Sequence, residues 1–215
     1  MTPLEDFFQG RILVINLKRR PDRWEHVQRQ LAAHDITCAE RFEGVDAPKV
    51  DGRPNGNMGC TMSHRGVLDL IVKKGWERTL VLEDDFDILH TDFQDKFARI
   101  SRELTDWNRD GWDMLYLGGH YAEAPIARVS PHLIRCGRML TTSSYGITLR
   151  MAKKMQPHIS GIGPIDTLYS GFHRESQTLI TSPRLMVQLP SFSDLQEKDM
   201  NNAFAMLDPG HESSV

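Results

Sequence analysis

The stretch Thr79-Leu80-Val81-Leu82-Glu83-Asp84-Asp85-Phe86-Asp87 joins an apolar run to four acids packed into five residues. Four β-branched or aliphatic residues, preceded by Trp76-Glu77-Arg78, read as a buried strand of a parallel sheet. The acids sit at its carboxyl end, where ligands bind in open α/β sheets. While strand geometry persists, side chains alternate, so Glu83 and Asp85 share one face and Asp84 takes the other. Two carboxylates on one face suit a hard cation such as Mg2+ or Mn2+, which prefers oxygen ligands. A solvated acidic turn has the same composition, so the cluster alone does not decide between the two.

The preceding residues alternate strand and helix. Residues 11–17 predict a strand, and a helix follows at Pro21, with Asp22 and Glu25 at its positive end and Trp24, Val27 and Leu31 recurring at helical spacing. Arg19, Arg20 and Arg23 gather at this junction. Guanidinium forks beside free helix amides make a diphosphate site, although a solvated basic turn looks the same. Residues 36–42 predict a second strand, which brings Asp46 to the same edge, where it can accept from a ribose or base. Residues 48–57 are rich in glycine and proline and predict a loop. Gly59-Cys60-Thr61-Met62-Ser63-His64 then opens a helix that ends at Lys73, Lys74 and Gly75. Ser63 and His64 fall in its first turn, within reach of a ligand, yet a lone histidine there is more often structural.

After the acids, residues 92–104 predict a packing helix and 112–117 a strand, with Gly118-Gly119-His120 turning sharply. Residues 121–131 read as irregular. Residues 134–138 and 141–148 predict strands, the latter carrying the hydroxyls of Thr142, Ser143, Ser144 and Tyr145, which can serve the sheet alone. Residues 161–166 form a turn into a short helix, where Asp166 is either a cap or a catalytic carboxylate. Further strands are expected at 179–180 and 185–187. The whole reads as an α/β sheet covered by helices, one domain over residues 1–195 with a polar tail at 196–215.

A chain of 215 residues can bury one sizeable core, and a net charge of -3 gives no basic footprint for nucleic acid. No apolar stretch is long enough to be a transmembrane segment, and the acidic amino terminus does not read as a secretory signal. Cys38, Cys60 and Cys136 are too far apart for metal knuckles and odd in number, so reduced thiols in a cytoplasmic protein are expected. Cys60 near His64 could be a nucleophile, but a small buried thiol is the commoner state.

Taken in order, Ile15-Asn16-Leu17 with Arg20 and Asp22-Arg23, Gly59-Cys60 with Ser63-His64, and Leu82-Glu83-Asp84-Asp85 resemble glycosyltransferase family 25. Leu117-Gly118-Gly119, Thr142-Ser143-Ser144-Tyr145-Gly146 with Ala152-Lys153, and Pro164-Ile165-Asp166 continue the same succession, so the resemblance runs from about residue 11 to 194. That family includes lipooligosaccharide galactosyltransferases and procollagen galactosyltransferases. The resemblance implies a GT-A type nucleotide-sugar-binding fold with a mixed, mainly parallel sheet, inversion at the anomeric carbon, and a UDP-sugar donor, UDP-galactose or UDP-glucose. It puts Glu83-Asp84-Asp85 at the acidic metal motif, Asn16, Arg20 and Arg23 at the donor end, and Ser63-His64 beside the sugar. Arg19 and Asp46 are additions from the residues themselves.

On that basis Asp85 holds Mn2+ or Mg2+ with Glu83 beside it, Asp84 assists, and the ion and the arginines stabilise the leaving UDP. Inversion needs a carboxylate to deprotonate the acceptor hydroxyl of a glycan or protein; Asp166 is the first candidate and Asp113 the second. A non-catalytic UDP-sugar-binding module is the alternative. The Asp84-Asp85-Phe86-Asp87 run also suggests terpene-type diphosphate chemistry, but that uses an acidic helix in an all-helical fold, and here the acids follow a β run.

Overall fold

The computed structural model describes residues 1–48, 55–107, 111–160 and 163–189, and the backbone alone of 191–193 and 198–200. Helix α1 (Pro3–Phe7) leads into strand β1 (Ile12–Asn16), helix α2 (Pro21–Ala33), strand β2 (Ala39–Glu43) and helix α3 (Gly56–Lys74). Strands β3 (Arg78–Glu83) and β4 (Phe86–Ile88), helix α4 (Phe93–Trp107), and strands β5 (Met114–Tyr116), β6 (His120–Tyr121), β7 (Ala127–Ser130), β8 (Leu133–Arg135), β9 (Met139–Leu140) and β10 (Ser144–Thr148) follow. Helices α5 (Leu149–Met155) and α6 (Ile165–His173) precede β11 (Thr178–Thr181), β12 (Met186–Gln188), β13 (Ser191–Ser193) and β14 (Lys198–Met200).

The central sheet has eight strands in the order β2-β1-β3-β10-β5-β11-β8-β7. Strands β2, β1, β3, β5, β11 and β7 run one way, and β10 and β8 run against them. This is the mixed, mainly parallel sheet covered by helices that is expected of the GT-A class. Alternation along the strands divides the core in two. Ile12, Val14, Leu80 and Leu82 face α1, α2 and α4, while Leu13, Ile15 and Val81 face α3, α5 and α6. Period two thus buries both faces of β1 and leaves only the carboxyl ends of β1 and β3 for polar chemistry.

Several boundaries differ from the sequence expectation, each for a local reason. Strand β2 begins at Ala39 rather than 36 because the backbone amides of Thr37 and Cys38 donate to the buried Glu5 carboxylate at 2.5 and 3.0 Å. Helix α3 begins at Gly56, capped by the Asn55 side chain, which accepts from the Met58 amide at 3.3 Å. Ser63 and His64 therefore lie two turns inside the helix and not in its first turn. Its end is as expected, with Lys73, Lys74 and then Gly75 in the left-handed conformation at φ 66°. Strand β10 begins at Ser144 because Thr141 is held at φ 77°, which no strand residue adopts.

Residues 121–131, expected to be irregular, supply the edge strand β7. The expected loop at 48–57 lies outside the described residues for 49–54, as do 161–162 of the turn before α6. Of the predicted tail 196–215, only the backbone of β14, paired antiparallel with β13, is described. No helix among the described residues is long and apolar enough to cross a membrane.

Candidate active site

Strand β3 ends at Glu83, and the chain turns through Asp84 and Asp85 before β4. The expected alternation stops with the strand, so Asp84 does not face away: all three acids line one cleft of about 530 Å³. On its β1–β2 side the cleft is bounded by Arg19, Arg23, Asp46, Ser63 and His64, and on its β10–β5 side by His120, Thr141, Thr142 and Asp166.

Each acid has its own setting. Asp84 accepts from Asn16 Nδ2 and Arg23 Nη1, both at 2.6 Å. Burial raises its carboxyl above the ordinary value against the pull of Arg23. Glu83 Oε1 accepts from Thr142 Oγ1 at 2.6 Å and lies 3.2 Å from His64 Nε2. Burial works against its ionisation, but the His64 and Thr142 hydrogen bonds prevail and hold it below the ordinary value. Asp85 is the least satisfied. Its Oδ2 takes Gln188 Nε2 at 3.1 Å and Arg23 Nη1 at 3.4 Å, whereas its buried Oδ1 has no hydrogen-bond partner. Burial, then the Glu83 charge, pushes the Asp85 carboxyl up to about 7.

That orphaned oxygen is the feature a hard cation fits. A carboxylate kept reluctant to ionise by burial and a like charge gains most from a divalent ion, which supplies positive charge and a partner for the free lone pair. Among the described residues, Cys60, His64 and Glu83 also bring potential ligand atoms within 4.8 Å of one another. Burial and then the Glu83 and Asp85 charges push the Cys60 thiol well above its ordinary value, so it stays protonated. Both His64 nitrogens are occupied, Nδ1 by the Tyr145 hydroxyl at 2.9 Å. Hydrogen bonding accounts for His64 and Glu83 and protonation for Cys60, and the oxygen donors of Asp85 and Glu83 remain the set that could hold a hard metal.

Not every expected residue meets the cleft. Asn16 is buried beneath it and braces Asp84, while its second Nδ2 contact goes to the Arg20 carbonyl at 3.1 Å. The Arg20 side chain turns to Asp22, at 2.8 Å, and does not line the cleft. Arg19 and Asp46 do line it, paired with each other at 2.8 Å on the exposed rim. Ser63 ties the Val45 amide (2.8 Å) to the Gly59 carbonyl (2.7 Å), fixing the loop after β2 against α3. His64, whose side chain is fully buried, lines the cleft and braces Glu83.

Asp113 stands at the opposite end of the sheet, before β5, where Arg150 Nε and the Gln177 amide each donate to it at 2.8 Å. It is remote from the other candidates because β5 runs parallel to β3 and Asp113 precedes its amino end. Asp166 lines the cleft from the second residue of α6 and is not that helix's cap. Its Oδ1 accepts from the Thr167 amide at 2.6 Å and its Oδ2 from the Thr141 amide at 3.5 Å.

Sequence reasoning missed Gln188 on Asp85 and Thr141 on the far wall, and it marked His120 only as part of a sharp turn, without a side-chain role. The hydroxyl run at 142–145 was a visible signal for Thr142 and Tyr145; nothing in the sequence marked Gln188, which reaches the site only through the pairing of β12 with β4.

Comparison with known proteins supplies the family. Residues 52–169 match the model of glycosyltransferase family 25 (LPS biosynthesis protein). The chain is 28% identical over 172 residues to procollagen galactosyltransferase 1 of Danio rerio, an alignment covering 67% of this chain and 28% of that protein. It is 27% identical over 168 residues to the inactive glycosyltransferase 25 family member 3 of Homo sapiens, again covering 67% of this chain and 28% of the relative. The chain thus spans little more than a quarter of the length of these relatives. Among solved structures, a glycosyltransferase involved in the glycosylation of the major capsid of PBCV-1 aligns with a TM-score of 0.49 at 12% identity, over 86% of this chain and 95% of that one. With more than half of its length matched by the family model, the chain belongs to glycosyltransferase family 25.

Proposed function

We propose that the protein transfers a hexose, galactose or glucose, from a UDP-sugar to a hydroxyl of a glycan or protein acceptor, with inversion and with Mn2+ or Mg2+. The observation that carries this reading is the partnerless Oδ1 of Asp85 beside Glu83 and Arg23 in one cleft, with Asp166 on the wall beyond. A divalent ion bound there would neutralise the diphosphate and ease departure of UDP. Asp85 would hold that ion, with Glu83 beside it. Arg23 and Arg19 add positive charge on the side where β1 feeds α2, suited to the donor phosphates. Asp46 on the rim suits a ribose or base hydroxyl. Asp166 takes the proton of the attacking hydroxyl, as a carboxylate with an oxygen bound only weakly, at 3.5 Å, can do.

Incubation with Mn2+ and UDP-galactose, UDP-glucose or UDP-N-acetylglucosamine, with free UDP as the readout, tests the donor. Slow release from one hexose donor is expected, and tight UDP binding without any release would instead favour the binding-module reading. The existence of relatives named as inactive gives that second reading its support. For the base, Asp166→Asn is expected to abolish transfer while UDP affinity holds; transfer near wild type would move the role elsewhere.

A further inference from the structure

The β10–β5 wall of the cleft contains a constellation that the donor-side reading does not use. Gly119, at φ 130°, turns the chain so that β6 pairs with β9, His120 opposite Leu140. The buried Arg184 fixes this turn by donating to the Gly119 carbonyl at 2.8 Å and covering the Tyr121 ring at 5.0 Å. Immediately after β9, Thr141 adopts φ 77°, a left-handed conformation that is costly for a β-branched residue and persists only where the surroundings over-determine it. Strain of this kind concentrates at ligand sites.

The strained backbone has a specific consequence: Thr141 bridges two groups of the cleft wall. Its amide faces Asp166 Oδ2 at 3.5 Å, and its hydroxyl meets His120 Nδ1 at 3.1 Å. With Nδ1 taken, Nε2 is the ring nitrogen left to the cleft that His120 lines, and no described residue hydrogen-bonds to it. Burial lowers the imidazole below its ordinary value, so the ring is neutral at neutral pH and can share a hydrogen bond without adding charge beside Asp166.

We infer that His120 is an acceptor-contacting residue: its Nε2 holds the hydroxyl next to the one that Asp166 deprotonates, so that the preferred acceptor is a saccharide with adjacent hydroxyls. This rests on the transferase reading of the cleft. A carboxylate and an imidazole linked through one threonine present two polar groups side by side, which neighbouring ring hydroxyls can meet together and a single side-chain hydroxyl cannot. No proton passes to His120; it orients the acceptor, and Thr141 orients the ring.

The test compares UDP release to water with release stimulated by methyl β-galactoside or methyl β-glucoside, in wild type, His120→Asn and His120→Gln. The Asn amide can reach the Nδ1 position and keep the Thr141 bond, whereas the Gln amide can reach the Nε2 position. For His120→Asn the expected result is a drop of about tenfold or more in glycoside-stimulated release, through a raised KM for glycoside, with release to water within about twofold of wild type. His120→Gln is expected to retain most of the stimulation. Unchanged stimulation in His120→Asn, or equal loss of both reactions, overturns the assignment. If wild type releases UDP to water but neither glycoside stimulates it, the donor reading stands and the saccharide assignment falls. If wild type neither binds nor releases UDP, the transferase reading fails and takes this one with it.

Discussion

His64 Nε2 lies 3.2 Å from Oε1 of Glu83 while Nδ1 meets the hydroxyl of Tyr145, which continues to Tyr169 at 3.3 Å. Since the carboxylate only accepts, Nε2 carries the proton of this contact. A buried chain from α6 through β10 and α3 thus holds one acid of the cleft in place.

His64→Leu keeps the volume but leaves Glu83 and Tyr145 each short of a partner. A loss of about 1–3 kcal/mol per stranded group is expected from thermal or denaturant unfolding. UDP affinity by calorimetry should weaken as well, because Glu83 loses its fixed orientation; unchanged affinity would make the chain purely structural.

For Asp85→Ala the expected outcome is loss of Mn2+-dependent UDP binding, with little loss of fold stability in the absence of metal, since the carboxylate is buried against its own preference. Calorimetry with and without Mn2+ decides it, and an unchanged metal-dependent affinity would remove Asp85 from the site.

Glu5 sets an acid limit on the fold. It is buried, and although burial opposes its charge, hydrogen bonds from Thr2, Thr37 and Cys38 prevail and hold it at about 2 instead of 4.5. A depressed carboxyl contributes stability above the unfolded value, and that contribution is lost as pH falls through 4.5 toward 2. Glu5→Gln should therefore cost up to about 3 kcal/mol at pH 7 and narrow the difference from wild type as the pH is lowered, measured by urea unfolding.

Two glycines should respond in opposite directions to alanine. A Cβ on Gly118 would come within 2.2 Å of the Met186 carbonyl oxygen, pushing away β12 and with it Gln188, the Asp85 partner. Gly118→Ala is expected to cost at least about 1–3 kcal/mol and to weaken UDP binding. In helix α6, a Cβ on Gly171 meets nothing within 4 Å, so Gly171→Ala should raise the melting temperature, by about 1 kcal/mol of stability. Equal effects would contradict the close approach at Gly118.

Much of the architecture was legible because hydrophobic periodicity reports burial directly. The β1 run, the Lys73-Lys74-Gly75 helix end and the acids after Leu82 all stand where the sequence puts them, within a residue or two. The misplaced start of α3 came from treating Gly59 as a boundary when Asn55 provides the cap. Gly59 serves packing instead, since a Cβ there would lie 2.6 Å from the Val45 carbonyl oxygen, and its absence allows the loop after β2 to press on the helix. Arg20 and Asp113 had the right chemistry for their expected roles, but their charges are answered by Asp22 and Arg150.

By itself the sequence determined that a buried strand would end in carboxylates at the carboxyl edge of an α/β sheet, because the run Thr79 to Leu82 is β-branched or aliphatic and the acids follow at once. Tertiary structure alone decided the role of each acid. The turn after Glu83 brings Asp84 onto Asn16 and Arg23, helix α3 and the segment before β10 give Glu83 its His64 and Thr142 partners, and the β12–β4 pairing brings Gln188 to one oxygen of Asp85 while the other stays unanswered. Those partners come from 19 to 103 residues away along the chain, where no local pattern can register them.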